Sequence, residues 1–283
     1  MNEKAQNQNA PGLKAATNAT SKSKRSMRIF SFTFIVFTLF IGATGWFWIN
    51  RAQEPEVIMI GTGPLGSDAY NLMKEVSQVV QRHSDDLRIE VRPTRDASQN
   101  IALLNTDAID AAVIRSDTPV VADIRGITNL YPDIFQIIVR DDVSAYRIGD
   151  LANISISIPE FGSDGFRSFW VVGDHYDLPI DSMVWKAEPF EQGAGRLLAG
   201  DVDALFTVRS LRDSHLIRMF EEAQLKSIEM RFIAIDQAES IALKRPFLSS
   251  AIIPKGAFTG AAPVPRSAIP TSSVDRLLVT RED

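Results

Sequence analysis

The chain predicts an α/β protein of two lobes behind an N-terminal membrane anchor. Three observations carry that prediction. One uncharged apolar run, residues 29–50, stands near the N-terminus. Short Ile/Val-rich segments then alternate with amphipathic helical segments over the rest of the 283 residues. Finally, one pattern occurs twice, about a hundred residues apart: an apolar strand, a Gly-Ser-Asp turn, then a helix. The first copy is Val57-Ile58-Met59-Ile60 running into Gly61-Thr62-Gly63-Pro64-Leu65-Gly66-Ser67-Asp68; the second is Ile154-Ser155-Ile156-Ser157-Ile158 running into Pro159-Glu160-Phe161-Gly162-Ser163-Asp164-Gly165.

Residues 1–28 carry six basic side chains and one acidic one, and residues 1–26 are rich in Asn, Ala, Ser and Thr. They read as a disordered, basic cytoplasmic tail. Residues 29–50 are long enough to cross a bilayer as a helix, with Trp46 and Trp48 at one interface. Lys22, Lys24, Arg25 and Arg28 flank the other end and hold the N-terminus inside. Ala43-Thr44-Gly45 resembles a signal cleavage site, but the apolar run continues through Trp46-Phe47-Trp48, which favours an uncleaved anchor. Either way the remainder is exported, to the periplasm in a bacterium.

The exported part begins with a β-α-β-α-β unit: strand 57–60, helix 68–83, strand 87–91, helix 97–105 and strand 111–114. Strand 135–139 crosses between lobes. The second lobe has strand 154–158, helix 163–174, strand 183–186, helix 190–199 and strand 204–208. The chain then returns through strand 231–235, helix 236–244 and strand 251–253. A Pro- and Ser-rich loop at 263–273 and a strand at 274–280 close it. The expected divisions are 51–140 for the first part of lobe 1, 141–208 for lobe 2 and 209–283 for the return. The stop at Arg281-Glu282-Asp283, where a helix would start, raises the expectation of a C-terminal truncation.

Charge and composition narrow the function. The whole chain is −5, and beyond the basic tail the remainder is −10, which argues against a nucleic-acid partner. There is no Cys, and His83, His175 and His215 are scattered, so no thiolate chemistry, metal or cofactor is called for. No nucleophile elbow, H-E-x-x-H or placed carboxylate pair is present, so the chain reads as a non-enzyme. Gly61-Thr62-Gly63-Pro64-Leu65-Gly66 fits a dinucleotide fingerprint formally. Pro64 removes a donor from it, and Arg92-Pro93-Thr94-Arg95 stands where a ribose-binding acid belongs.

Ser and Asp cap helices by accepting the free N–H groups of the first turn, and such a turn presents donors and a positive dipole end. Two of them point to a ligand held between lobes, with Thr62, Gly63, Gly66, Ser67, Ser163 and Gly165 as contacts. Arg115 and Ser116 follow the third strand at the same sheet edge, and Arg115 is the expected charge partner of a carboxylate, unless it pairs with Asp117 or Asp110. Asn100 opens the second helix. Arg167 lies in the first turn of the second-lobe helix, where the dipole disfavours a cation; a pair with Asp164 is its alternative use. Should Asp68 or Asp164 face the cleft, a zwitterion would suit it better than a dicarboxylate.

Four segments resemble the solute-binding subunits of TRAP-associated transporters, the TAXI family: Ile60–Ser67, Ala108–Asp117, Asn129–Pro132 with 136–140 and 148–151, and Leu197–Phe206. The resemblance runs from about Val57 to Asp283. It implies an α/β, two-lobed periplasmic-binding-protein type II fold that delivers an amino acid or organic acid to a sodium-coupled TRAP-type permease. A ligand-sensing ectodomain of a membrane signalling protein is the alternative. The family's loop continues Gly-Thr-Tyr-Tyr, whereas Gly66-Ser67-Asp68-Ala69-Tyr70 stands here, so ligand identity does not carry over. Residues 252–258, Ile-Ile-Pro-Lys-Gly-Ala-Phe, resemble a membrane-anchored branch in which further segments follow.

Overall fold

A computed structural model describes residues 16–51, 55–120 and 123–282. The chain divides into two compact units, residues 1–56 and 57–283.

Within the first unit the described residues 16–51 form one helix, α1 (Ala16–Arg51). Its stretch Phe30–Trp48 is long and apolar enough to cross a membrane. At 1.5 Å per residue those residues span roughly 28 Å, close to a hydrocarbon core. The hydroxyls of Thr38 and Thr44 donate back to the carbonyls of Phe34 and Phe40, both at 2.8 Å, so neither needs water. The helix begins earlier than expected. Residues 16–28, assigned to the disordered tail, continue it, because adding turns to an existing helix costs far less than nucleating one. Residues 1–15 of the expected tail lie outside the described residues.

The second unit is built on a curled sheet. Its strands are β1 (Glu56–Gly63), β2 (Leu87–Pro93), β3 (Ala111–Arg115), β4 (Ile124–Arg140), β5 (Ser155–Ile158), β6 (Val184–Ala187), β7 (Ala204–Arg209), β8 (Met230–Ile233), β9 (Leu248–Ile253) and β10 (Ile269–Arg281). The order is β2-β1-β3-β10-β4-β7-β5-β6, with β8 on β4 and β9 on β10. The helices are α2 (Asp68–His83), α3 (Ala97–Asn105), α4 (Asp164–His175), α5 (Phe190–Ala199), α6 (Ser214–Leu225) and α7 (Ala238–Lys244).

At one end β1 and β3 are parallel, with Ile60 opposite Ala111. Ile60, Met73, Ile89 and Val113 form a core beneath α2; Ile101, Leu104, Ile109 and Ala112 form another beneath α3. Helices on both faces explain why β3 is buried at every position. At the other end β5 lies parallel to both β6 and β7. Its largest core gathers Phe135, Phe169, Phe206, Ile156 and Leu151.

Two long strands join the ends. β4 pairs with β10 through its first half, then with β7 from Ile134 and β8 from Ile137. β10 pairs with β3, β4 and β9. This corrects the reading of 263–273 as loop, since β10 starts at Ile269. Thr271, Ser272 and Ser273 have turn-like composition, yet they are buried where the strands cross. Thr271 donates its hydroxyl to the Phe135 carbonyl at 2.6 Å. Sequence reasoning also passed over α6, although Leu216, Met219, Phe220 and Ala223 are its buried positions at helical spacing behind the Asp213 cap.

Candidate ligand-binding cleft

The two Gly-Ser-Asp turns are built alike. β1 ends at Gly63 (φ +125°), and Gly66 has φ +80°, a conformation that favours glycine. The Ser67 N–H closes the turn on the Pro64 carbonyl at 3.0 Å, and Ser67 Oγ accepts the Tyr70 N–H at 3.3 Å. After β5 the same order recurs. Gly162 has φ +81°, the Ser163 N–H bonds the Glu160 carbonyl at 3.1 Å, and Ser163 Oγ accepts the Phe166 N–H at 3.0 Å. In each, a left-handed glycine delivers the serine cap to the first turn of α2 or α4.

Both turns line one cavity of about 580 Å³. Tyr131 and Asp133 of β4, Arg276 of β10 and Arg209 of β7 also line it. The crossing strands thus supply its polar wall, and the turns supply its rims.

Of the ten residues expected at the site, six line this cavity: Thr62, Gly63, Ser67, Arg115, Ser163 and Gly165. Four do not. Gly66 shapes the turn from outside the wall. Asn100 is fully buried, accepting from Thr94 Oγ1 at 2.7 Å and donating to the Val113 carbonyl at 2.8 Å, so its amide is used structurally. Ser116 donates to the Phe247 carbonyl at 2.9 Å and accepts from the Asp275 N–H at 3.2 Å. Arg167 pairs with Asp164, the alternative its position allowed.

Arg115 lines the cavity, but its charge is already matched. Its Nε and one terminal nitrogen hold the two Asp117 oxygens at 2.8 and 2.5 Å, and Ser168 Oγ lies at 2.5 Å. With Arg115 3% exposed and Asp117 8%, this is a buried bidentate pair. Arg115 therefore ties β3 to α4, rather than standing free for a ligand.

Several wall residues were missed by sequence reasoning. Arg276 Nε donates to Asp133 at 2.6 Å, and Arg209 to Asp213 at 2.8 Å. Burial opposes the charge on Arg276, but Asp133 and Tyr131 outweigh it and hold the guanidinium protonated. Burial pushes the Tyr131 phenol up, with Asp133 adding to the shift and Arg276 opposing it. Asp68 is raised by burial first, then by Asp213 and Asp133, while Arg209 and the Ser210 hydroxyl offset part of the effect. The Arg209–Asp213 pair spans the turn between β7 and the cap of α6, so helical i,i+4 spacing does not reveal it. Nothing local to Asp133 or Arg276 could reveal a pair 143 residues apart in sequence.

Solved structures share the fold. An H2O2-bound cysteine-to-serine mutant of Corynebacterium glutamicum OxyR matches with a TM-score of 0.51 at 15% identity, over 93% of this chain and 69% of that one. A full-length BenM point mutant matches with 0.51 at 13% identity, over 89% and 70%. The periplasmic aliphatic sulphonate binding protein SsuA from Escherichia coli matches with 0.49 at 18% identity, over 68% of each chain. The fold is the expected α/β, two-lobed periplasmic-binding-protein type II architecture, with an apolar helix at its N-terminus. Residues 60–283 match the model of the NMT1-like family, and the chain belongs to that family.

Proposed function

We propose that this is a membrane-tethered periplasmic solute-binding protein, with its N-terminus in the cytoplasm, that captures a small carboxylate-bearing solute for a TRAP-type permease. The observation that carries the reading is the single cavity lined by both capped turns and by the strands that cross between them. Apart from Tyr70 and Phe166, whose N–H groups the serine caps take, the first-turn N–H groups of α2 and α4 have no partners within their helices and form two donor sets for an anionic group. Among the described residues, Arg276 holds Asp133 through Nε alone, so its terminal N–H groups remain for a carboxylate. β4, β7 and β10 are the hinge across which the lobes close, and closure around the solute makes the form a permease recognises. The TRAP assignment is supported by the four-segment resemblance.

A thermal-shift screen of the full-length protein in nanodiscs, against amino acids and small organic acids, tests the binding role. A solute at a hundred times its Kd should raise Tm by roughly 5–10 °C. No shift with any of them would count against the reading. Sodium-driven uptake by a co-reconstituted TRAP permease, dependent on this protein, checks the partner.

A further inference from the structure

The charges of the cavity wall do not balance. Seven carboxylates line it against four guanidiniums. Four ion pairs account for all the guanidiniums: Arg115 with Asp117, Arg276 with Asp133, Arg209 with Asp213 and Arg95 with Asp96. Glu188 and Asp164 are matched from outside the wall by Arg196 and Arg167. Among the described residues this leaves two lining carboxylates in no ion pair, Glu160 and Asp68. Glu160 is exposed on the rim. Asp68 is partly buried, on the first residue of α2, facing Asp133 and Asp213 as well as Arg209 and Ser210.

A carboxylate held among other carboxylates, without a cation of its own, disfavours a purely anionic ligand and favours a positive group. We infer that the solute bears an ammonium group and that Asp68 is its partner, so that the cleft selects amines and amino acids over the matching organic acids. The inference rests on the cleft reading above. Tyr131 and Phe161 also line the cavity, and aromatic faces attract the same cation. The carboxylate of a zwitterion remains for the helix N-termini and Arg276. Two acidic neighbours, Asp133 and Asp213, are satisfied by arginines, which leaves Asp68 to the ligand.

The test uses full-length protein in nanodiscs and isothermal titration with matched probes: each of the common L-amino acids and its des-amino acid, such as glutamate against glutarate, together with putrescine. At least one amine probe should bind, and its des-amino counterpart should bind about tenfold more weakly or worse. Asp68→Asn should reduce that ratio towards one, while Asp68→Glu, which keeps the charge, should preserve part of it. Circular dichroism confirms that each variant is folded. Organic acids binding as well as their amines overturns the inference and leaves the cleft reading intact. An unchanged ratio in folded Asp68→Asn also overturns it. Binding of no probe at all overturns both.

Discussion

The two capped turns share a backbone and differ in charge. In the first, Asp68 follows the serine cap and is in no ion pair among the described residues, with Arg209 only partly offsetting Asp213 and Asp133. In the second, Asp164 follows the cap and is matched by Arg167, with Thr118 Oγ1 donating to it at 3.2 Å. Behind the second turn stands an aromatic cluster: Phe161 and Phe166 at 5.1 Å between centroids, Phe166 and Trp170 at 5.6 Å, Trp170 and Trp185 at 5.9 Å. Behind the first lies a smaller aliphatic core around Met73 and Ile60. One backbone device thus serves two chemistries. The turn whose Asp164 is paired carries an aromatic cluster, and the turn whose partly buried Asp68 is unpaired is where charge selection belongs.

Blocking either rim separates a shared cleft from a one-sided site. Ser163→Trp and Ser67→Trp each push a large ring into the cavity, and each should weaken solute binding by about a hundredfold or more. Titration of both variants decides it. If only one substitution harms binding, a single turn holds the solute and the facing arrangement is wrong.

The next effect concerns the link between the turns. Arg115 ends the strand beside the first and reaches Ser168 on the helix of the second. Arg115→Met leaves Asp117 buried without its cation and should cost about 3–5 kcal/mol. Urea denaturation measures it. Lost binding with unchanged stability would return Arg115 to the ligand role that its sequence position suggested.

The caps themselves give a smaller contrast. Ser67→Ala and Ser163→Ala should each lose about 1 kcal/mol. Ser163 should cost more, because its helix packs on the larger core. Equal losses would show that the caps act locally and take no strength from what lies behind them.

The repeated turn was legible because each copy is local: glycine, serine and aspartate within a few residues of an apolar strand. Helices α2, α3 and α5 were legible for the same reason, with local caps at Ser67, Asp96 and Gly200 with its φ of +83°. The long strands were not. The first half of β4 is largely exposed and broken by Gly126, Asn129 and Pro132, and the start of β10 carries Pro270, Thr271, Ser272 and Ser273. Both are strands because they pair with each other across some 140 residues, a tertiary fact that overrides propensity. The site divides in the same way. Thr62, Ser67 and Ser163 could be read from their turns, whereas Arg276 and Asp133 meet only in the folded sheet. Arg115, Asn100, Ser116 and Arg167 have structural partners in the fold, because a polar side chain near a sheet edge finds such partners as readily as ligands.

The smallest effect tests the charge contrast in the empty protein. Asp68 has a raised pKa, chiefly from burial and then from Asp213 and Asp133. A carboxyl that binds its proton more tightly when folded than its ordinary value of 3.8 contributes stability below that value and loses it as pH rises through the folded pKa. At neutral pH its ionised form therefore weighs against the fold. Asp68→Asn should raise Tm at pH 7 without solute, and the gain should fade as pH falls towards 3.8. Asp164→Asn removes the pair with Arg167 and weakens the tie to Thr118, so it should lower stability at pH 7 by about 1 kcal/mol or less. Thermal melts of both variants across pH 4–7 follow the two signs. Opposite signs mean that the first turn holds an acid reserved for a ligand while the second holds one spent on structure. The same sign in both would dissolve the distinction, since Asp68 would then have a stabilising partner of its own.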